Sequence, residues 1–355
     1  MDQRNLILSG ILVAQLALVA LLFWPGRDTT AAPGALITEM ESAAVTVISI
    51  EAEGATVELH KAGDEWVLAN YGDYPANSQL VTELLDKLFA LDRARVAANT
   101  AGSHTRLQVA DDDYVRKLTL ATADGQSQTL YIGSSPSLRT TNVRPAGGDL
   151  VYLASDLRGT DIRTDVGGWA ELGYVQTPSD DVQAVTIENA SGALHFRRID
   201  AATWALDELP EDEPFSQTNF TTILTRLSGL NMVAPVGRDA QPEFGMDDPL
   251  ATVTVSTLPE GGEPQTLTLT IGAKDESGVN YYAKSSASEF YVKIASFTAE
   301  AFINDTRDRY IQAPPTPEAS SGLTDTITVT TPITSFAPFE LGEEITATEE
   351  ITGAD

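Results

Sequence analysis

Thr46-Val47-Ile48-Ser49-Ile50-Glu51 decides the fold, because it reads as a strand and because it returns. Its counterpart, Gln183-Ala184-Val185-Thr186-Ile187-Glu188, lies 137 residues further on. Working outward, Glu65-Trp66-Val67-Leu68 is answered by Thr203-Trp204-Ala205-Leu206, and Pro75-Ala76 by Pro214-Phe215. Thr129-Leu130-Tyr131-Ile132-Gly133 is answered by Thr268-Leu269-Thr270-Ile271-Gly272, and Leu150-Val151-Tyr152 by Glu289-Phe290-Tyr291. The offset between partners stays at 137 to 139 residues, so Val45 to Leu172 and Val182 to Tyr310 read as two copies of one unit.

Each copy has the same grammar. Val45, Val47 and Ser49, then Thr56 to His60, then Trp66 to Ala69, show the period of two expected of half-buried strands. A stripe at helical spacing follows: Leu80, Leu84, Leu88 and Leu91, with Val81 and Leu85 beside it, after Asn77 and Ser78 as candidate caps. Copy two repeats it as Phe220, Ile223, Leu224, Leu227 and Leu230 after Ser216. Further strands are expected at Lys117 to Thr122, Gln128 to Ile132 and Leu150 to Leu153, and at Thr252 to Ser256, Thr266 to Ile271 and Glu289 to Lys293. Short helices near Asp156 to Ile162 and Thr298 to Asn304 close the units. Grouped strands with few helices make the class α+β, with mainly antiparallel sheets and one main amphipathic helix per module. The organisation expected is an anchor at 1–26, a linker at 27–43, modules at 44–174 and 181–312, and an acidic, Thr/Pro-rich disordered tail at 313–355.

Copy two also carries Phe244-Gly245-Met246-Asp247-Asp248-Pro249 ahead of the strand Ala251 to Ser256 and the Ile271-Gly272 pair. With an apolar N-terminal run ahead of two such copies, this order of elements resembles the bacterial family called domain of unknown function 4340, over residues 40–312. Copy one departs from the motif, since Leu107-Gln108-Val109-Ala110-Asp111-Asp112-Asp113 has neither Gly nor Pro. The resemblance implies a membrane-anchored extracytoplasmic protein found alongside ABC-type export or gliding-type transporter components. It implies no established activity.

The chain has 355 residues, 51 acidic and 22 basic, for a net charge of −29. Such a polyanion is repelled by nucleic-acid phosphates and anionic headgroups, so no nucleic-acid partner is expected. There is no Cys, which excludes disulfides, thiolate zinc sites, cysteine nucleophiles and acylation of a lipobox cysteine. Leu6 to Trp24 is apolar apart from Ser9 and Gln15, and its 19 residues nearly match a hydrocarbon core of about 30 Å at about 1.5 Å per residue. It reads as an uncleaved single-pass anchor with Trp24 at the interface, the bilayer as partner and the bulk of the chain outside the cytoplasm.

Candidate chemistry is sparse. His60, His104 and His195 lack the spacing of a zinc site, and no nucleotide-loop, EF-hand or nucleophile-elbow motif occurs. Asp247 and Asp248, like Asp111 to Asp113 and Asp305 with Asp308, are weak candidates for a hard cation, and turn chemistry explains them better. Trp66, Trp204, Pro75, Pro214, Gly133, Gly245, Pro249 and Gly272 read as residues that specify the module. No cofactor and no catalytic residue is expected. The preferred reading is a non-catalytic binding or scaffold protein, an accessory to a membrane transporter. A carboxylate-dependent hydrolase or carbohydrate-active enzyme, or a structural envelope protein, stays open as an alternative.

Overall fold

A computed structural model describes residues 34–210 and 212–312. The anchor expected at Leu6 to Trp24, residues 27–33 of the linker and the tail from 313 lie outside these residues. Among the described residues no helix is long and apolar enough to cross a membrane. They are mostly antiparallel strands with four α-helices, an α+β arrangement.

The first sheet contains β1 (Val45–Ala52), β2 (Ala55–Ala62), β3 (Glu65–Leu68), β4 (Tyr74–Pro75), β5 (Val96–Ala98), β6 (Arg116–Thr122), β7 (Ser127–Ile132), β8 (Thr140–Pro145) and β9 (Val151–Ser155). Their order is β4-β3-β2-β1-β6-β7-β8-β9-β5. A short strand, β10 (Gly173–Gln176), then leads into the second sheet. This holds β11 (Val182–Asn189), β12 (Gly192–Arg198), β13 (Trp204–Leu206), β15 (Ala234–Gly237), β16 (Ala251–Thr257), β17 (Gln265–Lys274), β18 (Asn280–Ser285) and β19 (Tyr291–Ala295), while β14 (Gly229–Asn231) pairs with β10. The order β13-β12-β11-β16-β17-β18-β19-β15 repeats that of the first sheet strand by strand, apart from β4.

The stretch at 46–51 lies at the centre. Ile48 pairs with Leu59 and Leu120, and Ile50 with Val57 and Leu118; all six are fully or almost fully buried. Val185 and Ile187 occupy the same places, beside Phe196 and Val255 and beside Leu194 and Val253. Burying an aliphatic side chain of this size contributes roughly 1.5–3 kcal/mol, so these rows anchor both sheets. The buried face is Val45, Ile48 and Ile50, not the expected Val45, Val47 and Ser49. A register shift between Val45 and Val47 flips the side-chain alternation, and the same shift recurs between Val182 and Ala184.

Helix α1 (Ser78–Phe89) carries the chain from the β4 edge to the β5 edge and so must cross one face of the sheet. Asn77 caps it by accepting from the Leu80 amide at 3.2 Å, and Val81, Leu84, Leu85 and Leu88 are buried beneath it. A four-residue turn, α2 (His104–Leu107), follows β5. Helix α3 (Gln217–Ser228) crosses the second sheet in the same way, capped by Ser216 and burying Phe220, Ile223, Leu224 and Leu227. Leu91 and Leu230 fall beyond the helix ends, and Leu230 belongs to β14. Helix α4 (Ser296–Ile303) closes the second sheet, but the helix expected at 156–162 is only a 3-10 turn, Gly159–Asp161. Gly159 and Thr160 are poor helix formers, and the Asp161 carboxylate takes the Arg158 amide at 2.8 Å, closing the turn locally. The strands β8 and β18 have no counterpart in the sequence reading. Four consecutive residues of β8 are buried, Thr141 to Arg144, so both faces are covered and no alternation remains.

The Phe244-Gly245 motif has a steric explanation. Gly245 is left-handed (φ 66°), and Phe244 lands on Tyr282 and Tyr291 with ring centroids 4.4 and 5.3 Å away. A Cβ on Gly272 would overlap the Phe244 carbonyl oxygen. Gly133 faces the Leu107 carbonyl in the same way, and Gln108 adopts the left-handed conformation (φ 56°) at the position that corresponds to Gly245. The turn at Gln108 therefore forms without the glycine of the Phe244-Gly245 motif, with Gln108 carrying strain of about 1–2 kcal/mol. Gly272→Ala is expected to lower stability in denaturant unfolding by about 3 kcal/mol or more, whereas Gln108→Gly should be neutral or stabilise by up to about 1 kcal/mol.

Candidate functional site at the seam between the sheets

The chain leaves the first sheet through a loop that stitches its edge to the second. Pro75 and Trp169 carbonyls accept from the amides of Glu171 and Asn77, and Ala76 bridges to Ala170. Strand β10 then pairs with β14, and the Met232 amide donates to Leu172. Three aromatic side chains lock this crossing. Tyr74 donates to the Glu171 carbonyl at 3.0 Å and meets Phe290 edge-on at 4.8 Å. Tyr174 donates to the Phe290 carbonyl and accepts from the Ser285 amide, both at 2.7 Å. Burial pushes both phenols up to about 12, Tyr74 with added effect from Tyr174 and Glu171, so both remain neutral donors at ordinary pH. Arg238 stacks on Phe290 at 4.7 Å and pairs with Glu289 at 2.9 Å.

An open cleft of about 610 Å³ lies along this seam, lined among others by Asn77, Arg163, Glu171, Gln176 and Asn231. Its polar groups are partly committed: Asn77 caps α1, and Arg163 donates to the Gly168 carbonyl at 2.6 Å. Glu171 is the carboxylate on its wall among the described residues, whereas two-carboxylate hydrolysis needs a facing pair.

The buried ionisable groups elsewhere are tied into the fold. Arg144, on β8, donates to the Val109 and Gly148 carbonyls and to Asp111, and lies 4.5 Å from the Tyr131 ring centroid. His104 Nε2 lies 2.9 Å from the Asp149 carbonyl. Asp305 is bound by Tyr310 at 2.5 Å and by Arg309 at 3.4 Å; burial still raises its carboxyl and, with the Asp305 charge, raises the Tyr310 phenol. Asp275 sits in the β17–β18 turn. Burial acts to raise its carboxyl, but hydrogen bonds from Ser277, Asn280 and Lys293 prevail and hold it well below the carboxylate range.

The residues singled out from sequence fall in separate places. Trp66 and Trp204 are buried on β3 and β13, Trp204 with Phe220 at 4.6 Å. Pro75 pairs with Val67 at the sheet edge, and the Pro214 carbonyl accepts from Gln312. Pro249 is half-buried ahead of β16. Asp247 and Asp248 are exposed, and among the described residues no group of three or more His or carboxylate residues is placed to hold a metal ion. His195 pairs with Glu208 at 2.5 Å on the surface, which raises its pKa. Tyr74, Tyr174 and Arg238 gave no signal in the sequence, and Phe290 was read only as part of the stretch that answers Leu150-Val151-Tyr152, not as a contact across the seam.

The family model described as domain of unknown function (DUF4340) matches residues 66–243, from the buried Trp66 to the residue before Phe244. The chain belongs to that family. In this DUF4340 member the match runs across the seam, from β3 of the first sheet past β15 of the second. It is narrower than the 40–312 span of the sequence resemblance. No curated protein and no solved structure matches the chain.

Tyr174→Phe removes one donor and one acceptor at the seam and is expected to cost about 1–3 kcal/mol in urea unfolding. Asp275 has a depressed folded pKa, so its stabilisation is present above the unfolded value near 4 and is lost as pH falls toward the folded one. Asp275→Asn should therefore lower stability at neutral pH and flatten the acid limb of a stability-against-pH curve.

Proposed function

We propose that this chain is a membrane-tethered, non-catalytic binding or scaffold module, duplicated from one α+β unit, with its bulk outside the cytoplasm. The observation that carries the reading is the use made of buried polar side chains: Arg144, His104, Asp275 and Asp305 are each bound to backbone or neighbouring groups that position the fold. A reactive carboxylate or imidazole would instead need to present a polar atom to a cleft. The matching strand orders support duplication, and the apolar run Leu6 to Trp24 supports the tether. The family resemblance favours a transporter complex as the partner.

Affinity capture of the full chain from membranes solubilised in mild detergent is the test. Recovery of the same membrane-transporter subunits at near-constant ratio is expected. Repeated recovery of the chain without any such subunit would overturn the transporter assignment.

A further inference from the structure

One end of the first sheet differs in charge from the same end of the second. There β8 begins, β9 finishes and β5 begins, so residues just outside three neighbouring strands are brought together. Arg139 precedes β8, and its carbonyl accepts from the Asp156 amide at 2.8 Å; Arg95 precedes β5 and reaches Ser155 Oγ at 3.3 Å; Arg158 follows β9. All three arginines are exposed. Of the nearby acids, Asp161 is shared by Lys87 and Arg158, while Asp92, which caps the Ala94 amide and keeps its charge, and Asp156 stand against Arg93, Arg95 and Arg139, which leaves this end with an excess of cations. At the tip of the β7–β8 loop, the Thr140 amide donates to the Ser137 carbonyl, and Leu138 at the corner of that turn is 94% exposed beside Arg139. The equivalent β17–β18 loop, residues 275–279, carries Asp275, Glu276 and Val279 and no cation.

The described chain starts beside the segment that leads to Arg95, and from there it runs toward the start of β7, where Gln128 donates to the Leu36 carbonyl. The Gly34 carbonyl accepts from Arg93 at 3.0 Å, and the Leu36 amide donates to Leu91, two and four residues before Arg95. Residues 25–33 separate Trp24 from Gly34, and nine residues span at most about 32 Å.

We infer that this end, with Leu138 at its tip and Arg95, Arg139 and Arg158 around it, docks on the anionic surface of the bilayer. The inference rests on the tether proposed above. The net charge of −29 does not forbid it, because at physiological salt the Debye length is about 8 Å and charges farther from the headgroups are screened. Each Lys or Arg near an anionic leaflet is attracted, an exposed Leu gains by entering the headgroup boundary, and a short tether raises the effective concentration of the surface. The patch can therefore be weak and still be occupied.

The absence of Cys permits a clean test. Full-length chains bearing Leu138→Cys or Val279→Cys, each labelled with an environment-sensitive fluorophore, are reconstituted into vesicles of phosphatidylcholine with or without phosphatidylglycerol. Quenching by a lipid-attached quencher is expected at 138 in the anionic vesicles alone, and not at 279. It should be lost in Arg95→Ser/Arg139→Ser and at high salt. Flotation with the vesicles reports the tether separately. Flotation with position 138 unquenched, or quenched equally in neutral vesicles, overturns the docking surface while the tether stands; failure to float overturns both.

Discussion

The strand order forces the rest of the architecture. Because β4 and β5 occupy opposite edges of the first sheet, the chain between them must travel its full width, and only an amphipathic helix can do so while covering the apolar rows below. The same holds between β13 and β15 in the second sheet, where α3 makes the crossing. Once the helix is committed to that face, the opposite face must be closed by something else. The turn at Leu107 to Tyr114 does this over Tyr131, and Phe244 does it over Tyr282. The glycines at 133 and 272 exist because each turn has to come within contact distance of the sheet backbone.

The parts of the fold legible in the sequence were those that obey one period. The strand at 46–51, though not its buried face, the stripes of α1 and α3 and the paired tryptophans each follow a local rule, and each appears twice. What escaped has a physical cause in each case. Strand β8 is covered on both faces, so Asn142 and Arg144 are buried where a half-buried strand would alternate. The bulge after Val45 reverses the face that a strict alternation assigns. The turn at Gln108 keeps its backbone geometry while losing its glycine, so the motif vanished although the structure did not. For the candidate site the sequence said less, because Tyr174 and Phe290 act across a junction that occurs once.

Polar burial in this chain serves placement. Arg144 gathers two carbonyls and a carboxylate, and Asp275 gathers the hydroxyl, amide and ammonium groups of its own turn. These groups tie the loops at Val109 to Asp111, at Gly148 and at Asp275 to Asn280 to the sheets that carry them. The surfaces left to act on other molecules are then the loop tips and the cleft at the seam, whose chemistry differs between the two halves although the frame does not.

The attachment of the described chain at its start has a mechanical consequence. Gly34 to Leu36 is held to the body by the amide pairing with Leu91 and Arg93 and by the bridge from Ala35 to Asp92, next to the edge strand β5. Tension drawn through this point would load those bonds first, and past them the buried side chains of Leu36 and Ile37 and the bond from Gln128, so that a pull at the start of the described chain is passed to the core of the first sheet.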